Sequence, residues 1–161
     1  RLPEKRQEVL CAYLILRRAL REQYRWQEIP PIVCEDGGKP FFPDAPQVQF
    51  NLSHTAGAVL AALSDRPVGV DIERIRPLSP LARRRLAEGT SQEAFFADWV
   101  RREAVGKWMG AGVRPHGQET VCPPDCRFFP LETFAGYAAG ICVGAGAETL
   151  EIHRHHLTEL L

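Results

Sequence analysis

The chain has 161 residues, enough for one compact unit with a sizeable core. Its 20 basic and 20 acidic residues give a formal net charge of zero, which argues against a general binder of nucleic acids or membrane surfaces. No apolar run reaches about 18 residues and no signal-peptide pattern opens the sequence, so we expect a cytoplasmic protein without a membrane span.

The first part of the sequence predicts one long helix followed by short strands. Apolar residues recur at helical spacing: Val9, Tyr13, Leu16, Leu20 and Tyr24. They predict an amphipathic helix from about residue 4 to 25. A short strand is expected at 32–34. Two further strands, 58–63 and 67–73, are predicted to form an antiparallel hairpin.

The second part repeats the order of helix and then strands. A proline-rich turn at Pro77 and Pro80 precedes a basic helix near 81–88. A second helix is expected from about Ser91, with an apolar stripe at spacing i, i+3, i+4. Three strands are then predicted, at 127–134, 136–143 and 149–153.

Two carboxylates stand together on the predicted strand at 67–73. Val70 and Ile72 alternate with Asp71 and Glu73, so the two carboxylates share one face of the strand. Neighbouring carboxylates repel each other and resist burial. A cation relieves this repulsion, and hard oxygen ligands suit Mg²⁺. The alternative is an edge strand with a solvated outer face.

The helix after Ser91 offers a third carboxylate and a cation. Trp99, Glu103 and Lys107 follow one another at intervals of four and therefore lie in one row. The row continues the apolar stripe, so Glu103 and Lys107 should point toward the body of the protein. The alternative is an ordinary surface ion pair, which contributes only about 0.2–0.5 kcal/mol.

An upstream group of polar residues has the chemistry of a phosphate site. Lys39 follows a glycine turn, and Asn51, Ser53 and His54 end an extended segment. Backbone amides, an ammonium group, a hydroxyl and an imidazole can together hold a phosphate-rich ligand. A simple turn and a structural histidine remain alternatives, because no Walker-type or dinucleotide-binding glycine pattern is present.

The five cysteines are consistent with a reducing compartment. Cys11 and Cys142 lie in apolar runs and are expected to pack as small hydrophobic residues. Cys122 and Cys126, with His116 nearby, could indicate a zinc site. Because no second pair of ligands follows at zinc-like spacing, a loop is the favoured interpretation.

In their order and approximate spacing, the motifs of this sequence resemble those of the surfactin-type 4′-phosphopantetheinyl transferases. The resemblance extends from about residue 5 to the C-terminal residues. It rests on these segments: Gly-Lys-Pro at 38–40, Phe-Asn-Leu-Ser-His at 50–54, Val-Gly-Val-Asp-Ile-Glu at 68–73, Trp-Val-Arg-Arg-Glu-Ala-Val-Gly-Lys at 99–107 and Gly-Ala-Gly-Val at 110–113.

The resemblance implies an α+β fold of two similar halves. Each half would be a helix packed on a small, mainly antiparallel sheet, with the active site between them. Residues 1–161 would form a single phosphopantetheinyl transferase unit, with one half at about 1–76 and the other at about 77–161. A monomer is expected.

The resemblance also implies an activity, the transfer of 4′-phosphopantetheine from coenzyme A to a serine of an apo acyl or peptidyl carrier protein, with release of 3′,5′-ADP. Asp71 and Glu73 would hold Mg²⁺, or Mn²⁺, against the pyrophosphate of coenzyme A. Glu103 would be either a third metal ligand or the base that takes the serine proton. Lys107 would contact the pyrophosphate.

Further residues follow from the same resemblance. Lys39 and His54 would hold the phosphates, including the 3′-phosphate, and Asn51 and Ser53 belong to the same loop. Relatives carry basic residues near the N-terminus that help to bind the nucleotide, and Arg6 is expected to belong to that patch.

The carrier protein is expected to be acidic around its serine, by the same resemblance. The densest basic stretch of the chain would bind it: Arg74, Arg76, Arg83, Arg84 and Arg85. Opposite charges would mainly raise the association rate. A catalytically silent carrier-protein binder and a metal-dependent phosphoesterase or nuclease remain alternatives.

Overall fold

The computed structural model describes residues 3–34, 38–80, 90–110, 122–146 and 149–160, without the side chains of Glu4 and Leu157. The elements within these ranges are α1 (Glu4–Tyr24), β1 (Val33–Cys34), β2 (Pro40–Phe41), β3 (Gln49–Thr55), β4 (Ala58–Ser64), β5 (Val68–Arg74), α2 (Gln92–Trp108), β6 (Cys126–Leu131), β7 (Tyr137–Gly144) and a 3₁₀ turn at Leu157–Glu159. Neither of these two α-helices combines the length and apolarity that crossing a membrane requires.

The strands form three small antiparallel sheets. β1 pairs with β2, β3 pairs with β4, and β7 lies between β5 and β6. The first helix packs on β3 and β4, whereas the second packs on the sheet of β5, β7 and β6. The structure therefore confirms an α+β fold with two helix-on-sheet halves.

The first half is organised around the apolar stripe of α1. Leu16 and Leu20 are fully buried against Phe42 and Phe50, whose rings stack with centroids 4.5 Å apart. Burial of each leucine side chain stabilises the fold by about 1.5–3 kcal/mol. The helix ends at Tyr24, and the capping residue Arg25 adopts a left-handed conformation at φ 61° and donates its N–H to the carbonyl of Leu20. The predicted helix is confirmed.

The second half depends on the close approach of α2 to β5. The helix begins at Ser91, whose hydroxyl accepts a 3.1 Å hydrogen bond from the N–H of Ala94. Further along, the backbone of Ala104 and Trp108 lies against Gly69 of β5. A Cβ atom on Gly69 would overlap the Ala104 carbonyl oxygen and the Trp108 nitrogen. Because Gly69 has no side chain, the helix can pack this close to the sheet.

Side chains link the two halves. β3 runs alongside β5, and three of its side-chain oxygens take the place of ladder carbonyls. The backbone N–H groups of β5 donate to them as follows: Val70 to Asn51 Oδ1 at 2.9 Å, Ile72 to Ser53 Oγ at 3.3 Å and Arg74 to Thr55 Oγ1 at 3.3 Å. Because the offset in residue number is constant, the two strands run parallel. Every second residue of β3 thus fixes the position of β5.

The predicted hairpin of 58–63 and 67–73 is wrong. The two strands exist as β4 and β5, but β4 pairs with β3 and β5 pairs with β7. The sequence suggested a hairpin because the strands are separated by a short turn. The structure instead pairs β5 with a distant strand, and the polar side chains of β3 satisfy its other edge.

The other strand predictions are mostly confirmed. The strands expected at 127–134 and 136–143 are β6 and β7. Residues 149–153 form no strand, so that prediction is wrong. This polar segment has no ladder partner, and without one its alternating pattern does not define a strand. The basic helix expected near 81–88 lies outside the described residues. The boundary near residue 76 remains a proposal, and β5 of the first part belongs to the sheet of the second.

Candidate active site

Asp71 is a buried carboxylate at the junction of the two halves. It lies in the middle of β5 and is 5% exposed. Its Oδ1 accepts hydrogen bonds from Ser53 Oγ at 2.8 Å and from Lys107 Nζ at 2.7 Å. Its Oδ2 is buried and has no hydrogen-bond partner among the described residues. A buried acceptor without a partner is costly, so Oδ2 is a place where a donor or a cation would bind favourably.

Lys107 supplies the positive charge of this site. It lies in the last turn of α2 and also donates to Ser53 Oγ at 3.0 Å. The Lys107 side chain is partly exposed, whereas that of Asp71 is not. Ser53, Asp71 and Lys107 therefore each contact the other two. Of the three, the Lys107 ammonium group is the part that solvent reaches. A phosphate could reach this group from solvent.

Glu73 is held at the exposed end of the same strand face. Its Oε2 accepts from Thr55 Oγ1 at 3.4 Å and from the Arg76 guanidinium at 3.0 Å. That guanidinium also lies over the Phe96 ring, 5.2 Å from its centroid. Glu73 and Asp71 are thus both oriented by hydroxyl groups of β3.

Glu103 faces the same space from α2. Partial burial raises the pKa of the Glu103 carboxyl above its usual value of 4.5, and the charge of Asp71 raises it further. The Lys107 ammonium acts in the opposite direction, and Glu73 makes a smaller contribution that raises the pKa. The three carboxylates therefore repel one another electrostatically. A cation among them would remove that repulsion, and oxygen donors of this kind suit Mg²⁺.

The carboxylates do not form a tight ligand set in this structure. Among the described residues, three thiols have their sulfur atoms within 4.8 Å of one another, whereas the oxygens of these three carboxylates are farther apart. Lys107 lies against Asp71 Oδ1 instead. The ammonium group compensates a charge that a divalent cation would otherwise compensate.

Six of the predicted site residues meet at this junction: Asn51, Ser53, Asp71, Glu73, Glu103 and Lys107. Asn51 has a structural role here, because its amide oxygen accepts from the N–H of Val70. The hydroxyl of Ser53 bridges β3, β5 and α2.

The remaining predicted residues lie outside this hydrogen-bonded group. His54 alternates with Ser53 along β3 and so points to the other face, where its Nδ1 lies 3.1 Å from Glu8 Oε2 of α1. Lys39 donates to the Trp108 carbonyl at 3.2 Å, next to Lys107 in the chain. Arg6 is exposed near the start of α1.

The structure adds residues that the sequence did not single out. Thr55 orients Glu73, and Gly69 allows α2 to reach β5. The alternation of polar Asn51, Ser53 and Thr55 is a sequence signal that could have revealed the role of Thr55. The contact at Gly69 had no sequence signal, since a glycine in a strand has several explanations.

Two of the five proposed docking arginines are described. Arg74 is exposed at the end of β5, and Arg76 is engaged with Glu73 and Phe96. Arg83, Arg84 and Arg85 lie outside the described residues.

Comparison with known proteins gives a consistent set of relatives. No family model matches the chain. The chain is 27% identical to the 4′-phosphopantetheinyl transferase Sfp of Bacillus subtilis, over 86% of this chain and 75% of that protein. It is 29% identical to psf-1 of Bacillus pumilus, over 89% and 74% of the two lengths. It is 33% identical to AcpT of Salmonella typhi, over 68% and 62%. Both of the latter are named as 4′-phosphopantetheinyl transferases.

The similarity spans both halves of the fold, and six of the motif residues meet at the junction between those halves. These similarities therefore support the surfactin-type family of 4′-phosphopantetheinyl transferases for this chain.

Proposed function

We propose that this chain transfers 4′-phosphopantetheine from coenzyme A to a serine of an apo carrier protein. The observation that carries the proposal is Asp71, a buried carboxylate with one oxygen left without a partner. Glu73 and Glu103 add negative charge around it, and Lys107 lies beside it. This arrangement fits Mg²⁺ bound to a pyrophosphate. Bound there, Mg²⁺ would neutralise charge on the departing 3′,5′-ADP.

The protein's own groups would mainly position the reactants and stabilise charge, as phosphoryl transfer requires. Asp71, Glu73 and Glu103 would hold the metal. The Lys107 ammonium would contact the pyrophosphate from its exposed side. Ser53 holds Asp71 and Lys107 next to each other through its hydrogen bonds with both side chains.

The reaction would join the serine oxygen of the carrier to the phosphorus next to the pantetheine arm. The bond from this phosphorus to the oxygen of 3′,5′-ADP would break, and the serine would lose its proton. Glu103 could accept that proton, because its raised pKa makes it a better base than an ordinary glutamate. A third metal ligand is the other role open to this carboxylate.

Lys39, His54 and Arg6 would bind the nucleotide end of coenzyme A. The Lys39 ammonium reaches the C-terminal end of α2, one residue from Lys107. His54 would bind a phosphate through its imidazole, whose Nδ1 lies 3.1 Å from Glu8 Oε2. Arg6 is two residues before Glu8 on the same helix.

The carrier protein would dock through its acidic surface near the end of β5. Arg74 is exposed there, whereas Arg76 is already paired with Glu73. Arg74 is therefore the described arginine best placed for a partner. Arg83 and Arg84 would extend this surface. The chain would act as a monomer in the cytoplasm.

The test is incubation with coenzyme A, Mg²⁺ and an apo carrier protein, followed by intact-mass measurement of the carrier. We expect the carrier to gain the mass of phosphopantetheine with the wild-type chain and not with Asp71→Asn. Asp98→Asn is the matched control, because Asp98 is on the surface of α2 and pairs only with arginines among the contacts described. Carrier that binds but gains no mass would mean a silent binder, and hydrolysis of coenzyme A without a carrier product would mean a phosphoesterase.

A further inference from the structure

Three thiols converge in the second half of the molecule, away from the carboxylates. Cys126 is the first residue of β6, Cys122 lies four residues before it, and Cys142 lies on the neighbouring strand β7. Their sulfur atoms all lie within 4.8 Å of one another, and those of Cys122 and Cys126 are 2.6 Å apart. Cys142 is fully buried and Cys126 is 6% exposed. We refer to these three residues as the thiol cluster.

A turn holds the first two thiols together. The N–H of Cys126 donates to the carbonyl of Pro123 at 3.0 Å, and the N–H of Ala145 donates to the backbone carbonyl of Asp125 at 2.6 Å. This turn folds Cys122 back over Cys126 and ties it to the end of β7. The backbone thus fixes two of the thiols, and the β6–β7 pairing brings in the third.

The rest of the cluster's surroundings are apolar. Ala104 and Val105 of α2 close one side, and Trp108, Met109 and Phe128 pack around them. Burial raises the pKa of the Cys142 thiol to about 11, which favours the neutral form of this thiol. The hydrogen bond with Cys126 acts in the opposite direction, and the Lys39 ammonium lowers that pKa to a smaller extent.

Ordinary packing explains one buried cysteine, since a thiol behaves as a small hydrophobic group. It does not explain three thiols from two separate segments with their sulfur atoms directed at one another. Within the described ranges, this is the one set of three potential ligand atoms that lies so close together. Thiolates are the ligands preferred by soft cations.

We propose that Cys122, Cys126 and Cys142 bind a zinc ion. At a zinc–sulfur distance of about 2.3 Å, the sulfurs of a tetrahedral site lie farther apart than those of Cys122 and Cys126, so that pair must open by about 1 Å. Cys122 is the least buried of the three thiols, so a fourth ligand would enter from its side. Each thiol gives up its proton to solvent as it becomes a thiolate ligand.

The zinc site would differ from the Mg²⁺ site in chemistry and in purpose. Its ligands are soft, and they join the turn before β6 to β7 beneath the C-terminal end of α2. Bound zinc would therefore stabilise the packing that supports Lys107, without touching substrate. Zinc binding by the thiol cluster does not depend on the proposed transfer activity.

The test uses the reduced, metal-free chain and Co²⁺ as a spectroscopic probe. We expect one Co²⁺ to bind with thiolate-to-metal charge-transfer absorption, and Zn²⁺ to displace it at one equivalent. Zinc should also raise the melting temperature, because it binds only the folded cluster. Cys122→Ser and Cys142→Ser should each remove the charge-transfer band. Cys11→Ser and Cys34→Ser are matched controls outside the cluster and should keep it.

Several results would overturn the proposal. One is a reduced wild-type chain that shows no charge-transfer absorption with Co²⁺. Another is binding that survives in both cluster variants. A third is a Cys122–Cys126 disulfide in the purified protein whose reduction yields no metal binding. Because Cys122 is only half-buried, its serine variant should fold even if Cys142→Ser does not.

Discussion

The carboxylate group and the thiol cluster both lie beside α2 and the sheet of β5, β7 and β6, yet their electrostatic requirements are opposite. Asp71, Glu73 and Glu103 carry charge, and the structure compensates it with Lys107, Arg76 and hydroxyl groups of β3. The thiols are neutral when protonated and need no such partners, so an apolar shell surrounds them.

The comparison shows how one scaffold can present hard and soft ligands without mixing them. The carboxylates lie where cationic side chains pair with them, Asp71 with Lys107 in the interior and Glu73 with Arg76 nearer to solvent. Thiols tolerate the dry side of the same helix, because burial favours their neutral form. Four of the following predictions change charged side chains and leave the thiol cluster intact, and one disturbs both sides of the comparison.

The largest effect is expected from Lys107→Met. The change removes the ammonium group that compensates Asp71, so transfer should be lost. The metal-free chain should lose about 1–3 kcal/mol of stability, because a buried carboxylate oxygen loses a partner. Added Mg²⁺ should stabilise this variant more than the wild type. Denaturant unfolding with and without Mg²⁺ measures the loss of stability and the stabilisation by the metal. An equal Mg²⁺ effect on the variant and the wild type would contradict a metal at Asp71.

A somewhat smaller effect is expected at the phosphate-binding residues. Lys39→Ala and His54→Ala should weaken the binding of coenzyme A by about 1.5–3 kcal/mol each, the range for a charge-assisted hydrogen bond. Dephospho-coenzyme A should be affected less, since it lacks the 3′-phosphate. Calorimetry with both ligands gives the comparison. Equal losses for the two ligands would mean that neither side chain contacts the 3′-phosphate.

Gly69→Ala should disturb both sites at once. Its new methyl group would overlap the backbone of α2 at Ala104 and Trp108, so the helix must move away from β5. Such overpacking costs about 1–3 kcal/mol. Gly144→Ala is the control, because a Cβ atom there meets only Arg66 at 3.9 Å. Unfolding measurements on both variants decide the point, and equal stabilities would show that α2 adapts freely.

The docking surface should give a modest and salt-dependent effect. Arg74→Glu should raise the KM for an acidic carrier protein at low salt and leave that for coenzyme A unchanged, because rim charges act mainly on association. Arg127→Glu on β6 is a control of the same charge change. A carrier KM that does not respond to Arg74→Glu would place the docking surface elsewhere.

The smallest effect concerns Glu103 and pH. Because its folded pKa is raised above 4.5, this group favours the folded state below that value and loses its contribution as pH rises through the folded pKa. Glu103→Gln should therefore raise the melting temperature of the metal-free chain at neutral pH and change it little in acid. Glu93→Gln should instead lower the melting temperature at neutral pH and change it little in acid, since hydrogen bonds to its own backbone and Ser91 lower the pKa of Glu93. Identical pH profiles for the two variants would contradict the assignment.

The sequence by itself determined the local elements and most of the charged site. The apolar spacing of α1, the alternation in β5 and the row of Glu103 and Lys107 are all local patterns, because helices and strands repeat with fixed periods. The family motifs then indicated which of these residues share a site.

Only the tertiary structure decided how the strands pair and which distant groups meet. The pairing of β5 with β7 depends on packing between segments far apart in the chain, so the short turn before β5 was misleading. His54 faces Glu8 rather than Asp71 for the same reason, since only the docking of α1 shows what lies on each face of β3. The thiol cluster needed the β6–β7 register to bring Cys142 to Cys122 and Cys126. Non-local contacts of this kind leave no periodic signal in the sequence.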